Sequence, residues 1–288
     1  MEGGGNAPEL DLIKFPRTHH IFDAGGGVGR DDLLMSPEEA KVWHQKYVYV
    51  EEKVDGSNLG ISLTADYQLR FQNRSHFVNT ATQAQWGQLE AWVQQHPGLL
   101  EVLTPDRILF GEWMYARHSI HYTHLPDLFI AFDIYDKKQG KFLSVKSRNE
   151  LLEGKGIAVV PLLAEGVLSR EDMQRLLDSP SSFRGDGGFV EGIYVRIDQG
   201  RGNEDDGFPW HSNNNDKKKR QGKRGGGAQK KAEEKRNGST NSNEGEEENA
   251  EQRTYLLARA KVVRHDFLEE DITHWSRQKL VKNIVRYE

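Results

Sequence analysis

The chain contains no cysteine. Disulfides and thiolate metal sites are therefore excluded, although this does not fix a compartment. No apolar run approaches the length of a membrane span. The opening Met1-Glu2-Gly3-Gly4-Gly5-Asn6 lacks the apolar stretch of a secretory signal. These absences lead to the expectation of an intracellular protein, cytoplasmic or nuclear, with no membrane partner. A surplus of positive charge is also missing: 39 Lys and Arg against 44 Asp and Glu give a formal net charge of −5. Non-specific nucleic-acid binders are usually basic, so a nucleic acid would have to be held on a local basic face or through metal ions. There are no internal repeats. The glycine-rich stretch Ala24-Gly25-Gly26-Gly27-Val28-Gly29-Arg30 is not followed by Gly-Lys-Ser/Thr, which excludes a P-loop and leaves a flexible loop.

What is present begins with a core. A hydrophobic content of 36% and six Trp in 288 residues suffice for a sizeable one. From 201 to 252 the composition changes to Gly, Asn, Lys, Arg and Glu, with eleven basic and eleven acidic residues. Such a segment cannot bury enough apolar surface to offset its ordering entropy. Its basic cluster, Lys217 to Arg224, reads as solvated chain, as an RNA contact or as a nuclear import signal. A strand-like segment, Thr254 to Val263, follows it. The expected organisation is thus a disordered 1–10 and a single domain over 11–288, with a disordered insertion at 201–252.

The remaining pattern is mixed α and β. Ser36 followed by Pro37-Glu38-Glu39 reads as a capped helix start. Gln83–Gln95 places Trp86, Leu89, Trp92 and Val93 on one helix face. A helix opens at Ser169 and runs to about Leu177, and the stretch Ile272–Val285 reads as a packed C-terminal helix. Strands are expected at Tyr47–Val50, Leu59–Leu63, Leu69–Gln72, Ile108–Trp113, Leu128–Tyr135, Val190–Ile197 and Tyr255–Val263. His118, His121 and His124 recur every third residue, but Pro126 and the surrounding turn residues favour a loop over a metal site.

The chemistry concentrates at Glu52-Lys53-Val54-Asp55-Gly56-Ser57-Asn58, a short turn between two strands. Four further segments stand in order behind it: Phe110-Gly111-Glu112-Trp113, Phe132-Asp133, Glu191-Gly192 and Arg259-Ala260-Lys261. In the last, two cations two residues apart point to the same face of a strand. With Arg74 in Phe71-Gln72-Asn73-Arg74-Ser75, this set resembles the ordered motifs of ATP-dependent RNA ligases. These belong to the covalent nucleotidyltransferase superfamily, which also holds DNA ligases and mRNA capping enzymes. The similarity runs from about Tyr49 to Lys261. Asn58, where the DNA and capping relatives usually carry Arg, favours RNA ligase. The last motif departs from the usual pair of lysines by having Arg259.

The resemblance implies an α+β nucleotidyltransferase (adenylation) domain, with antiparallel sheets flanked by helices. The 27 residues after Lys261 are too few for the C-terminal oligonucleotide-binding barrel of the DNA and capping relatives, so none is expected. It further implies an enzyme that uses ATP and Mg2+ or Mn2+ to join RNA 3′-OH and 5′-phosphate ends through lysyl-AMP. Alternatives are a DNA ligase, a capping nucleotidyltransferase or a non-catalytic RNA-end-binding module. Lys53 is the implied nucleophile, with Lys261 and Arg259 as catalytic cations. Glu52, Arg74, Glu112, Phe132 and Lys261 would bind the nucleotide, with Phe132 stacked on adenine. Glu112, Glu191 and Asp55 would hold metal, and Asn58 would meet the RNA end. A monomer is expected.

Overall fold

Tyr47-Val48-Tyr49-Val50 buries every second side chain: Val48 and Val50 are wholly inaccessible, while both tyrosines stay partly exposed. That period of two is the signature of a strand with one face on a core. It breaks at Glu51 and Glu52, both buried, where the strand approaches Lys53. The computed structural model describes residues 12–26, 28–29, 32–81, 83–204, 253–266 and 280–286. Nearly all of the expected insertion, 205–252, lies outside the described residues, as do 1–11.

In chain order the elements are β1 (His19–His20), α1 (Pro37–Trp43), β2 (Tyr47–Lys53), β3 (Ser57–Leu63), β4 (Leu69–Gln72), α2 (Leu89–Gln95), α3 (Gly98–Val102), β5 (Arg107–Trp113), β6 (Phe129–Asp136), β7 (Lys141–Phe142), α4 (Val145–Leu152), β8 (Leu162–Val167), α5 (Arg170–Leu176), β9 (Gly192–Asp198) and β10 (Leu256–Val263). They build two five-stranded sheets, ordered β1-β10-β9-β2-β8 and β4-β3-β5-β6-β7. All pairings are antiparallel except β1 with β10. The architecture is therefore α+β with antiparallel sheets, as expected, and among the described residues neither sheet closes into a barrel. The chain crosses from one sheet to the other at 54–56, so Lys53 stands at the end of a strand of one sheet just before β3 opens the other.

Each sheet packs its own helices. Leu59, Ile61, Leu109, Trp113 and Phe129 meet Trp86, Leu89, Trp92 and Leu99 in one core. Val48, Val50, Ile193, Val195 and Ala260 meet Trp43, Met173 and Leu177 in the other. Each of the larger side chains contributes roughly 1.5–3 kcal/mol by burial. The helix starts at Ser36 and Ser169 are both capping boxes: each serine Oγ accepts from the backbone three residues on, while Glu39 or Asp172 reaches back.

Two sequence expectations differ from the structure. The single helix over Gln83–Gln95 is split into a 3-10 turn at Ala84–Trp86 and α2, because the Gly87 amide turns back to the Ala84 carbonyl. Of the C-terminal helix expected over Ile272–Val285, 272–279 lie outside the described residues and Leu280–Val285 is not helical. This segment is extended and tied to 115–125, with Arg117 N donating to Val281 O (2.7 Å) and Ile284 N to Tyr122 O (2.9 Å). Buried Asn283 locks it by donating to Met114 O at 2.8 Å and accepting from Tyr122 N at 3.0 Å. No helix among the described residues is long and apolar enough to cross a membrane.

Candidate active site

A cleft of about 480 Å³ opens where the sheets meet. Its floor is the turn from β2 to β3. Lys53 Nζ donates to Glu191 Oε1, and the register that places Lys53 opposite Gly192 brings them together. Gly192 also lets β9 lie close against β10: a Cβ there would lie 2.4 Å from the Val262 carbonyl oxygen. Gly56 is constrained likewise, since a Cβ would meet Trp113 O and Met114 Sδ at 2.8 Å. The glycines of Lys-x-Asp-Gly and Glu-Gly are thus demanded by close packing against β10 and the end of β5.

The carboxylates beside Lys53 differ in task. Asp55 is engaged by the backbone: its Oδ2 accepts from Ser119 N (2.8 Å) and Ile120 N (3.1 Å), and its own amide donates to Tyr122 OH (3.0 Å). It fastens the 117–125 loop to the cleft floor. Glu112 faces the cleft from β5, opposite Asn58 in register. Burial pushes its carboxyl up to about 8, with Lys53 acting against burial and Glu191 reinforcing it. Glu191 is pushed up to about 7, again by burial against Lys53. Burial works to lower Lys53, but Glu191 and then Asp55 outweigh it, so its amine is raised. Lys53 therefore holds the proton of the pair, because an amine starts far above a carboxyl.

The walls carry the other predicted residues. Arg74, Phe132 and Lys261 all line the cleft. Phe132 meets Phe15 edge-on at 5.3 Å, and its carbonyl accepts from Arg148 (2.6 Å) and Arg196 (3.0 Å), which fixes the strand that presents the ring. Glu52 is buried, with its carboxylate accepting from Ser181 Oγ at 2.6 Å. Burial raises it to about 7, against the Ser181 hydrogen bond. Asn58 lines the same cleft, and its Oδ1 is buried without a hydrogen-bond partner.

Arg259 departs from expectation. It is not among the lining residues. Its Nη1 donates to Asp133 Oδ2 at 2.8 Å, and its guanidinium stacks 3.8 Å from the Phe142 ring centroid. It shares a strand face with Lys261, but Tyr194, whose hydroxyl lies 3.3 Å from its Nη1, stands at the cleft beside it. It belongs to a buried ionic network behind the cleft. Arg148 grips Glu51 with two nitrogens (2.6 and 3.2 Å), Arg196 bonds Asp133 at 2.6 Å and lies 3.7 Å from Asp198, and Asp133 also receives Arg259. Three cations and three anions from β2, β6, α4, β9 and β10 thus balance. Apart from the neighbours Arg196 and Asp198, the partners in this network lie 63 to 126 residues apart, so local pattern does not reveal it. The N-terminal stretch Lys14–His20, which also resembles a segment of some RNA ligase-like proteins, contributes Phe15, Arg17 and Thr18 to the cleft lining, and Asp32, which no sequence motif marks, joins them.

The donors suit a hard divalent cation. They are carboxylate oxygens, and Glu191 Oε2 is buried with no hydrogen-bond partner. Among the described residues no three His, Asp or Glu side chains already form a set that could hold a metal ion. The three histidines at 118, 121 and 124 do not converge either: His121 Nε2 lies 3.2 Å from Lys282 O, whereas His118 Nε2 lies 3.2 Å from Ser57 Oγ.

Residues 46–210, 165 of the 288, match the RNA ligase family model. The chain belongs to the RNA ligase family. Among solved structures it is similar to a Naegleria gruberi RNA ligase mutant with ATP and Mn, at 23% identity and a TM-score of 0.43 over 56% of this chain and 49% of that one. It is also similar to the Naegleria gruberi RNA ligase with PPi, at 21% identity and a TM-score of 0.45 over 68% of this chain and 58% of that one. The chain thus spans about half the length of these ligases. No curated protein matches it.

Proposed function

We propose that this RNA ligase family member is an ATP-dependent enzyme that joins an RNA 3′-hydroxyl to a 5′-phosphate through a lysyl-AMP intermediate. The observation that carries the reading is Lys53. It is a half-buried amine on the cleft floor, paired with Glu191 and faced by Lys261, Arg74 and the Phe132 ring.

In the first step Lys53 Nζ attacks the α-phosphorus of ATP. A P–N bond forms, and the bond to the pyrophosphate oxygen breaks. The amine must first lose its proton, and in the free protein the contact with Glu191 opposes that loss. The cations Lys261 and Arg74 line the same cleft, where they oppose a second positive charge and meet the charge that grows on phosphate. Glu112 and Glu191, with Asp55 beside them, would hold Mg2+ or Mn2+. When bound, such an ion supplies positive charge against the phosphate and competes with Lys53 for Glu191. Phe132 offers a face for adenine, and Glu52 lies beside it in the same lining. In the second step a 5′-phosphate oxygen attacks the same phosphorus and the P–N bond breaks, returning the amine. In the third the 3′-hydroxyl attacks the RNA phosphate and expels AMP. Asn58, with its open Oδ1, is assigned to the RNA end.

The test is ATP-dependent sealing of matched RNA ends by wild type and Lys53→Ala. The variant is expected to lose sealing of 5′-phosphate RNA and to keep sealing of pre-adenylylated RNA. A Lys53→Ala protein that seals 5′-phosphate RNA with ATP at the wild-type rate contradicts the proposal.

A further inference from the structure

The cleft is completed by a segment that precedes the family match. β1 lies parallel to β10, with His19 opposite Ala260 and His20 opposite Lys261. Ile21 N donates to the Lys261 carbonyl at 3.0 Å, which fixes the lysine's backbone. The same segment then holds its side chain. Lys261 Nζ donates to Asp32 Oδ1 at 2.9 Å, across 229 positions of sequence. Asp32 is itself restrained, because its Oδ2 accepts from Gly29 N at 3.1 Å and its amide donates to Gly29 O at 3.0 Å. His20 N donates to Leu33 O at 2.7 Å and Met35 N to His20 O at 2.9 Å, so the turn carrying Asp32 is pinned to the strand that flanks Lys261. The His20 ring is buried beneath the pair, with Nε2 3.5 Å from Asp32 Oδ1 and no hydrogen bond to either nitrogen. Burial, with Lys261 beside it, lowers its imidazole to about 4, so it is neutral at pH 7 and leaves the Asp32 charge to the lysine.

We infer that Asp32 is a positioning residue for Lys261, and that β1 with the residues that pin Asp32 to it, Gly29, Leu33 and Met35, is thereby a working part of the nucleotide site. A lysine side chain has many accessible rotamers. A free Lys261 would sample the cleft, whereas a tethered one presents its ammonium from a fixed point. Asp32 supplies both the acceptor and the compensating charge, and Gly29 keeps it from following the lysine. The inference rests on the lysyl-AMP reading for the step in which Lys261 acts. The tether itself does not depend on that reading.

The experiment combines a rate and a footprint, in the full chain. Single-turnover AMP transfer from ATP to Lys53 is measured for wild type, Asp32→Ala, Lys261→Ala and the double variant. Loss of a charged hydrogen bond predicts a fall of about 10- to 100-fold at saturating ATP for Asp32→Ala. The ATP concentration for half-maximal rate is expected to change far less. In the Lys261→Ala background Asp32→Ala is expected to change the rate by no more than about twofold. Asp32→Asn keeps an acceptor and should lose less than Asp32→Ala. In parallel, labelling with an amine-reactive reagent, read by peptide mass, should show Lys261 more reactive in Asp32→Ala. Additive losses in the double variant, or an unchanged Lys261 footprint, would overturn the inference. A wild type that forms no lysyl-AMP while the footprint still rises would instead overturn the reaction assignment and leave the tether standing.

Discussion

Removing the Asp133 carboxylate tests how the cleft is held in shape. Asp133 is fully buried and accepts from Arg196 at 2.6 Å and from Arg259 at 2.8 Å. In Asp133→Ala both guanidinium groups remain in the interior. Arg196 keeps hydrogen bonds to Leu143 O and Phe132 O and has Glu51 and Asp198 within 3.8 Å, so its loss is partial. Arg259 loses its one carboxylate partner among the described residues and keeps Tyr194 OH and the Phe142 ring. Taking one partner from a buried ion pair typically costs about 3–5 kcal/mol. At about 2–4 °C per kcal/mol for a domain of this size, the melting point should fall by about 6–20 °C. A total stability of roughly 5–15 kcal/mol leaves the variant folded or marginal at 25 °C. The assays are thermal melting by circular dichroism and urea unfolding followed by tryptophan fluorescence. A melting point within about 2 °C of wild type would refute the reasoning, because a buried Arg259 stripped of its carboxylate, beside a weakened Arg196, cannot be that cheap. Arg259→Met extends the test, with an expected loss of about 1.5–3 kcal/mol. If Arg259 acted on phosphate alone, rate would fall while the melting point stayed put.

Three further outcomes are expected. Asn58→Ala should form lysyl-AMP from ATP and fail to seal RNA ends; equal loss of both would move Asn58 into the ATP site. Glu52 has a folded value of about 7 against an ordinary 4.5. The folded state therefore favours its protonated form, and that stability is full below about pH 4.5 and is lost as pH rises through 7. Glu52→Gln should accordingly flatten the decline in melting point between pH 5 and pH 8, and an unchanged slope would contradict the burial assigned to Glu52. Gly192→Ala should lower the melting point and detach Lys53 from Glu191, since its Cβ would stand 2.4 Å from Val262 O. A crystal structure of that variant with the pair intact would contradict it.

The cleft floor was legible because its information is local. Lys53, Asp55, Gly56 and Asn58 stand within six residues, and the alternating strand before them predicts where the turn falls. Glu112, Phe132, Glu191 and Lys261 were legible through order along the chain; Glu112, Phe132 and Lys261 line one cleft, and Glu191 joins it through Lys53. Arg259 was misplaced by the same reasoning. Period two puts it on the face of Lys261, but the sequence does not say that Asp133, 126 residues away, claims its guanidinium. The pairing of Glu51 with Arg148 and of Arg196 with Asp133 was invisible for that reason, as was that of Asp32 with Lys261. β8 was missed because Leu162–Val167 is an edge strand with no buried face to give it a period. α4 was missed because Val-Lys-Ser-Arg-Asn-Glu-Leu-Leu buries a serine and an arginine beside its apolar residues, which blurs an amphipathic stripe.

The central claim is that Lys53 becomes covalently attached to AMP. Its most direct test is peptide mapping by mass spectrometry after incubation of the wild-type chain with ATP and Mg2+ or Mn2+. One AMP is expected, in acid-labile P–N linkage, on the peptide that bears Lys53. AMP on a different lysine, or no adduct with either metal, would contradict it.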